Sequence, residues 1–305
     1  MRRIGNSNIL ITIGIAVIVI PICCYLLILF SNSGVLSKMS FENILSKTRI
    51  EIPSVNCYDN AQKWLTGQYD DDYGSVFLKK DSTFFATFKE DDNPRKGYKY
   101  ELINLSEIGD KLDDAAGWMA GTSELYMYPL RTFVDKDMPM KDVMNVLYKI
   151  RPYRPDVAFV LRDRDSLDFF YLYYRLADSV AAYEKYISTS YLSRIEVSKE
   201  SGEFSVLFSD LYLGNLSLKD LSEVFEDRYS IDEGRGSLRR GIVLIVWTDH
   251  LTFEDYVNIV YEYIKVVDKY RNDYCLKTYG ELFGRLDDTR LKEAKELYPV
   301  YILVF

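Results

Sequence analysis

The chain has 305 residues, with 38 Lys+Arg against 46 Asp+Glu, a formal net charge of −8 and one histidine. Apolar residues at 48% and charged residues at 28% are enough for packed cores and exclude global disorder. A pI near 5.0 excludes nucleic acid as the main partner, because phosphate binding needs a basic face. A lone His250 and four cysteines rule out most His-rich metal sites and any disulfide-dense scaffold.

Residues 9–30, ILITIGIAVIVIPICCYLLILF, are 22 consecutive residues without a charge. As a helix they would extend about 33 Å, enough to cross a hydrocarbon core of about 30 Å. Arg2 and Arg3 place residues 1–8 in the cytoplasm, although Lys38, Lys47 and Arg49 on the other side weaken that bias. A cleaved signal peptide is the rival reading, with Ser31-Asn32-Ser33 as its small-x-small site. Its apolar core would run only about 7–15 residues, so an uncleaved transmembrane helix over 9–30, kinked at Pro21, is preferred. Beyond residue 30 the chain holds 36 Lys+Arg against 46 Asp+Glu, a composition expected of an envelope-facing body. Residues 31–80 read as a connecting segment containing Pro53, Gly67, Gly74 and the acidic run Asp70-Asp71-Asp72. Three successive acids cannot all point one way, so that run reads as a solvated loop rather than a calcium site. Cys57 and Cys275 are the body's cysteines, and whether they pair is open.

The body reads as two copies of one pattern, 81–163 and 193–305, joined by an aromatic-rich linking helix over 164–192. Thr83 to Phe88 parallels Glu203 to Phe208 as strands rich in aromatic and β-branched residues. Tyr98 to Ile103 and Leu211 to Leu213 supply second strands. Asn104-Leu105-Ser106 parallels Asn215-Leu216-Ser217, with Ser106 and Ser217 as candidate N-caps. Leu125 to Ile150 then parallels Gly241 to Ile264. Each is an apolar strand, a polar turn at Asp135 or Asp249, and a helix with an apolar stripe. Asp156 to Leu161 parallels Asp273 to Thr278 as a further strand, and Val300 to Phe305 is a candidate edge strand. The expected fold class is therefore α+β, with helices packed on small sheets.

These residues resemble the ExbD/TolR family of biopolymer-transport proteins. The resemblance lies in one N-terminal apolar segment, the stretch Arg49-Ile50-Glu51-Ile52-Pro53, and Val134-Asp135-Lys136-Asp137 followed by Lys141-Asp142-Val143-Met144-Asn145-Val146-Leu147. A looser second copy is Thr248-Asp249-His250 with Asp255 to Val260. The resemblance implies a single-pass inner-membrane protein with a periplasmic ExbD/TolR-like body; family members usually have one such domain, whereas the internal repeat gives this chain two in tandem. It also implies partners such as an ExbB/TolQ-like membrane subunit, a periplasmic protein or the cell wall. Family members carry an aspartate in the membrane helix for the proton pathway, whereas residues 9–30 contain no Asp or Glu. The expected function is therefore that of a noncatalytic envelope protein, a binding or scaffold component of a transport or envelope complex. The alternative is an active subunit of a proton-motive-force-driven transport complex, with the carboxylate donated by a partner helix.

No catalytic, cofactor or metal site is expected. Asp135, Asp137 and Asp249 read as caps at strand ends, Asp163-Arg164-Asp165 as a helix start and His250 as a turn residue. Gly234-Arg235-Gly236 lacks the Gly-Lys-Ser/Thr ending of a phosphate loop. The candidate interaction residues are Phe169, Phe170, Tyr171, Tyr173 and Tyr174, too many aromatics for one helix face; they read either as packing between the two repeats or as a surface for another protein or a glycan.

Overall fold

The computed structural model describes residues 33–55, 75–88, 98–117, 129–154, 156–165, 169–175, 193–209, 211–234 and 242–305. The first lobe begins with helix α1 (Ser33–Thr48) and the two-residue strand β1 (Ser54–Val55). Strands β2 (Ser75–Lys79), β3 (Ser82–Phe88) and β4 (Tyr98–Ile103) follow as an antiparallel meander. Next come a 3-10 turn at Leu105–Glu107, α2 (Ile108–Gly117), β5 (Leu130–Val134), α3 (Met140–Ile150), β6 (Asp156–Asp163) and β7 (Phe169–Arg175). The strand order is β1-β6-β5-β2-β3-β4, with β7 also on β6. The second lobe holds β8 (Ser193–Glu200), β9 (Glu203–Phe208), β10 (Leu211–Leu216), α4 (Leu218–Gly234), β11 (Ile242–Val246), α5 (Phe253–Tyr279), α6 (Asp288–Leu297) and β12 (Tyr301–Val304). Its order is β10-β9-β8-β11-β12. Each lobe thus places a meander, a helix, a strand parallel to the first, a second helix and a further parallel strand in the same spatial sequence; β12 ends its sheet, whereas β6 also carries β1 and β7.

Local sequence explains these elements. LRTFV and IVLIV are fully buried central strands, covered on both faces, and so read as continuous runs rather than alternating ones. In α3, Val143, Met144, Val146, Leu147 and Ile150 are buried at helical spacing. In α5 a capping box joins Thr252 to Asp255, and Gly280 closes the helix at φ 72°. The first sheet sends alternate side chains to opposite faces. Val76, Leu78, Phe159 and Leu161 enter the core shared by both lobes, whereas Phe77, Phe133 and Val160 pack under Phe41, Ile44 and Leu45 of α1. There the Phe77 and Phe133 rings stack at 4.3 Å.

The lobes meet at an isolated antiparallel bridge between Pro139 and Thr252. Met140 N–H donates to Leu251 O at 2.8 Å, and Phe253 N–H donates to Met138 O at 2.8 Å. This reciprocal pair makes a local two-fold relation between the starts of α3 and α5. Phe159 closes the junction with rings centred 5.0 Å from Phe253 and 6.3 Å from Tyr256.

The structure corrects the expected architecture. Residues 9–30 lie outside the described residues, and among the described residues no helix is long and apolar enough to cross a membrane. The 27-residue α5 has the length, but Glu254, Asp255, Glu262, Lys265, Asp268, Lys269, Arg271, Asp273 and Lys277 interrupt it. The membrane-spanning helix, the inner-membrane placement with a periplasmic body, and the tandem ExbD/TolR-like α+β domains give way to a mixed α/β protein with two sheets.

Several elements are also reassigned. Phe169–Arg175, expected in a linking helix, is strand β7 paired with β6, because a continuous aromatic run suits a pleated, half-buried surface. Asp273 to Thr278 is the last part of α5, and the outer strand of the second lobe is β12. The expected connecting segment contains α1, β1 and β2. Asn104, rather than Ser106, caps the 3-10 turn with Glu107, whereas Ser217 Oγ accepts from Asp220 N–H at 3.3 Å.

A charged crevice between the lobes

Glu51, Lys136, Arg162 and Arg164 of the first lobe and Glu254 of the second line a crevice of about 390 Å³, with Ile50, Ile52 and Ser54. Its volume lies within the range of small-molecule sites, about 300–1,000 Å³. It sits beyond the carboxyl ends of the parallel strands β5 and β6, where open α/β sheets place ligands.

The wall is built from backbone outward. Lys136 N–H donates to Glu51 O at 2.7 Å, Arg162 N–H to Pro53 O at 3.0 Å and Arg164 N–H to Val55 O at 3.0 Å. These bonds lay the segment after α1 along the ends of β5 and β6. Asp135 adds a side-chain staple, accepting from Glu51 N–H and Asp137 N–H, each at 3.2 Å. Lys79 Nζ donates to the last carbonyl of α1, Thr48 O at 3.3 Å, and to Arg49 O just beyond it at 2.9 Å. Arg49 is left-handed at φ 55°, so the chain turns sharply from α1 into the crevice.

Two of the cations are matched within the wall. Arg162 donates to both oxygens of Glu42 at 2.9 Å and lies 5.2 Å from the Phe169 ring centre. Such bidentate pairs fix geometry as well as charge. Lys136 Nζ lies 2.8 Å from Glu51. The hydrogen bond and charge of Lys136 hold the Glu51 carboxyl below its usual range, and Glu51 in turn raises Lys136. Arg164 donates to Ser54 O at 3.0 Å. Glu254 enters through its main chain, its N–H donating to Lys136 O at 3.0 Å.

The residues singled out in the sequence are placed as follows. Asp135 staples the crevice wall rather than capping α3. Asp249 stands in the turn before α5, 3.2 Å from Lys141 Nζ. His250 occupies the same turn at φ 64°. Asp163-Arg164-Asp165 forms the end of β6 and its turn, not a helix start. Phe170 is buried in the shared core, and Phe169 and Tyr171 are half-buried, packing with the α1 cluster. These three rings therefore build their own lobe. The backbone of Tyr173 and Tyr174 belongs to β7, and their side chains lie outside the description. Asp70-Asp71-Asp72, Arg235-Gly236 and Cys57 lie outside the described residues, while Cys275 is buried and unbonded. Sequence reasoning missed Arg162 and Glu254. A charge at the carboxyl end of an apolar strand, and one in the first turn of a helix, were the available signals.

Two lobes of like topology, with an open ligand-sized crevice lined by the first lobe and by Glu254 of the second, define a two-lobed mixed α/β protein. No protein-family model matches the chain, and no curated protein matches it. Among solved structures the chain is similar to a protein from Bacteroides thetaiotaomicron described as having an actin-like ATPase fold and unknown function. The two are 10% identical, with a TM-score of 0.14, over 76% of this chain and 90% of that one. A TM-score of that size carries no argument about fold or function.

Proposed function

We propose that the chain is a noncatalytic binding protein, a scaffold whose two lobes hold a ligand or partner segment in the crevice between them. The carrying observation is the charge state of that crevice. Glu51 and Lys136 each hold the other in its ionised form, so neither is poised to give or take a proton near neutral pH. Proton transfer needs the opposite adjustment, toward neutrality. Charges fixed on strand ends and helix starts favour recognition, because such elements hold a site more precisely than loops.

The test is photo-crosslinking of the full chain in cells, with the reactive group at the half-buried Ser54 in the crevice or at the exposed Leu276 on α5. Capture of a defined partner or ligand from position 54 but not from 276 supports the reading. Equal capture from both positions, or a turnover activity that Glu51→Gln abolishes, overturns it.

A further inference from the structure

Taking the binding reading as its basis, we infer that the crevice recognises a zwitterion, an α-amino acid or dipeptide with a free carboxylate and a free ammonium group. The lining charges already used within the protein decide which ones are left for a ligand. Arg162 is matched in bidentate fashion by Glu42, and Lys136 is matched by Glu51. Two charges remain. The Arg164 guanidinium donates to Ser54 O and keeps most of its N–H donors uncommitted among the described residues. The Glu254 side chain makes no hydrogen bond or ion pair among the described residues; Lys136 acts on it only as a more distant charge, and Glu51 is the first claimant on that ammonium.

One uncommitted cation and one uncommitted anion thus face the same crevice from different lobes. A simple anion would satisfy Arg164 and leave Glu254 opposed, and a simple cation would do the reverse. A ligand carrying both charges satisfies both and bridges the lobes. Arg164 would take the carboxylate through parallel N–H donors, and Glu254 would take the ammonium. The crevice volume of about 390 Å³ accommodates a dipeptide.

Isothermal titration of the full chain with L-alanyl-L-alanine tests this, with L-alanine, N-acetyl-L-alanyl-L-alanine and L-alanyl-L-alaninamide as comparisons. The expected result is saturable binding of the free dipeptide or of alanine, whichever fits better. Blocking either terminus should weaken binding at least about tenfold, the scale of one hydrogen bond to a charged group. Arg164→Gln should erase the discrimination against the amide alone, and Glu254→Gln the discrimination against the acetylated peptide alone. Unchanged thermal unfolding of both variants would show that the fold is intact. Equal binding of the blocked peptides, competition by inorganic phosphate at the same concentration, or no saturable binding at millimolar concentrations overturns the assignment. If crevice crosslinking persists while the peptides fail, only the ligand class falls. If crosslinking fails as well, the binding reading falls with it.

Discussion

Lys136 and Asp249 stand at equivalent places in the two lobes, four residues before α3 and α5 respectively, yet carry opposite charge. Asp249 pairs with Lys141 in the first turn of α3 at 3.2 Å, and Lys136 carries on its main chain the carbonyl that receives Glu254 N–H from the first turn of α5. The local two-fold at Pro139 and Thr252 is therefore flanked by a side-chain ion pair on one side and a main-chain hydrogen bond on the other. Only the Lys136 side opens onto the crevice.

The exposed Lys141–Asp249 pair should contribute little. Asp249→Asn is expected to change unfolding free energy by less than about 1 kcal/mol, an effect that added salt removes. Urea titrations at two ionic strengths check this.

Phe159 should behave differently, because it is fully buried and joins the lobes through Phe253 and Tyr256. Phe159→Ala should destabilise the protein by about 3–5 kcal/mol through lost burial and the cavity left behind. With one core shared by both lobes, fluorescence and circular dichroism should report the same midpoint in the wild type. A split transition in the variant would show that the lobes have come apart.

Thr252 makes both the α5 capping box and the inter-lobe bridge. Thr252→Ala keeps the main-chain bonds and removes the side-chain cap, so it should cost about 1 kcal/mol. Chemical denaturation of the single variant is sufficient to measure it.

The Glu51–Lys136 pair sets a pH window. The folded Glu51 carboxyl lies below its ordinary 4.5, so its contribution is present above that value and is lost as pH falls through the lowered one. The folded Lys136 ammonium lies above its ordinary 10.5, so its contribution is present below that value and is lost as pH rises through the raised one. The stability difference between wild type and Lys136→Met should be flat across the neutral range and shrink toward both extremes. Denaturant midpoints measured across pH would contradict this if the difference peaked at either end.

Burial pushes the Cys275 thiol up to about 11. It should resist maleimide at pH 8 in the folded chain and react once urea unfolds it, because the thiolate is the nucleophile. Peptide mapping by mass spectrometry distinguishes Cys275 from the other cysteines.

Part of this architecture was legible locally. The stripe of Val143, Met144, Leu147 and Ile150 marks α3, and the runs LRTFV and IVLIV mark the central strands. Other elements misled for physical reasons. The run Phe169 to Tyr174 carries no alternation, so a strand and a helix look alike until β6 supplies the pairing partner. Asp273 to Thr278 has the length of a strand, but it continues a helix that ends only at Gly280. Of the crevice, Arg49 to Pro53 and Lys136 were noticed as short motifs, whereas the roles of Arg162, Arg164 and Glu254 were not.

The sequence by itself determined which segments are apolar, their periods, and that a similar series of elements occurs twice, because those properties belong to near neighbours along the chain. Tertiary structure alone decided that β7 is a strand, that Pro139 meets Thr252, and that Glu51 N–H finds the Asp135 carboxylate across 84 residues of sequence. Such pairings depend on how distant backbones converge, and side-chain periodicity carries no record of that.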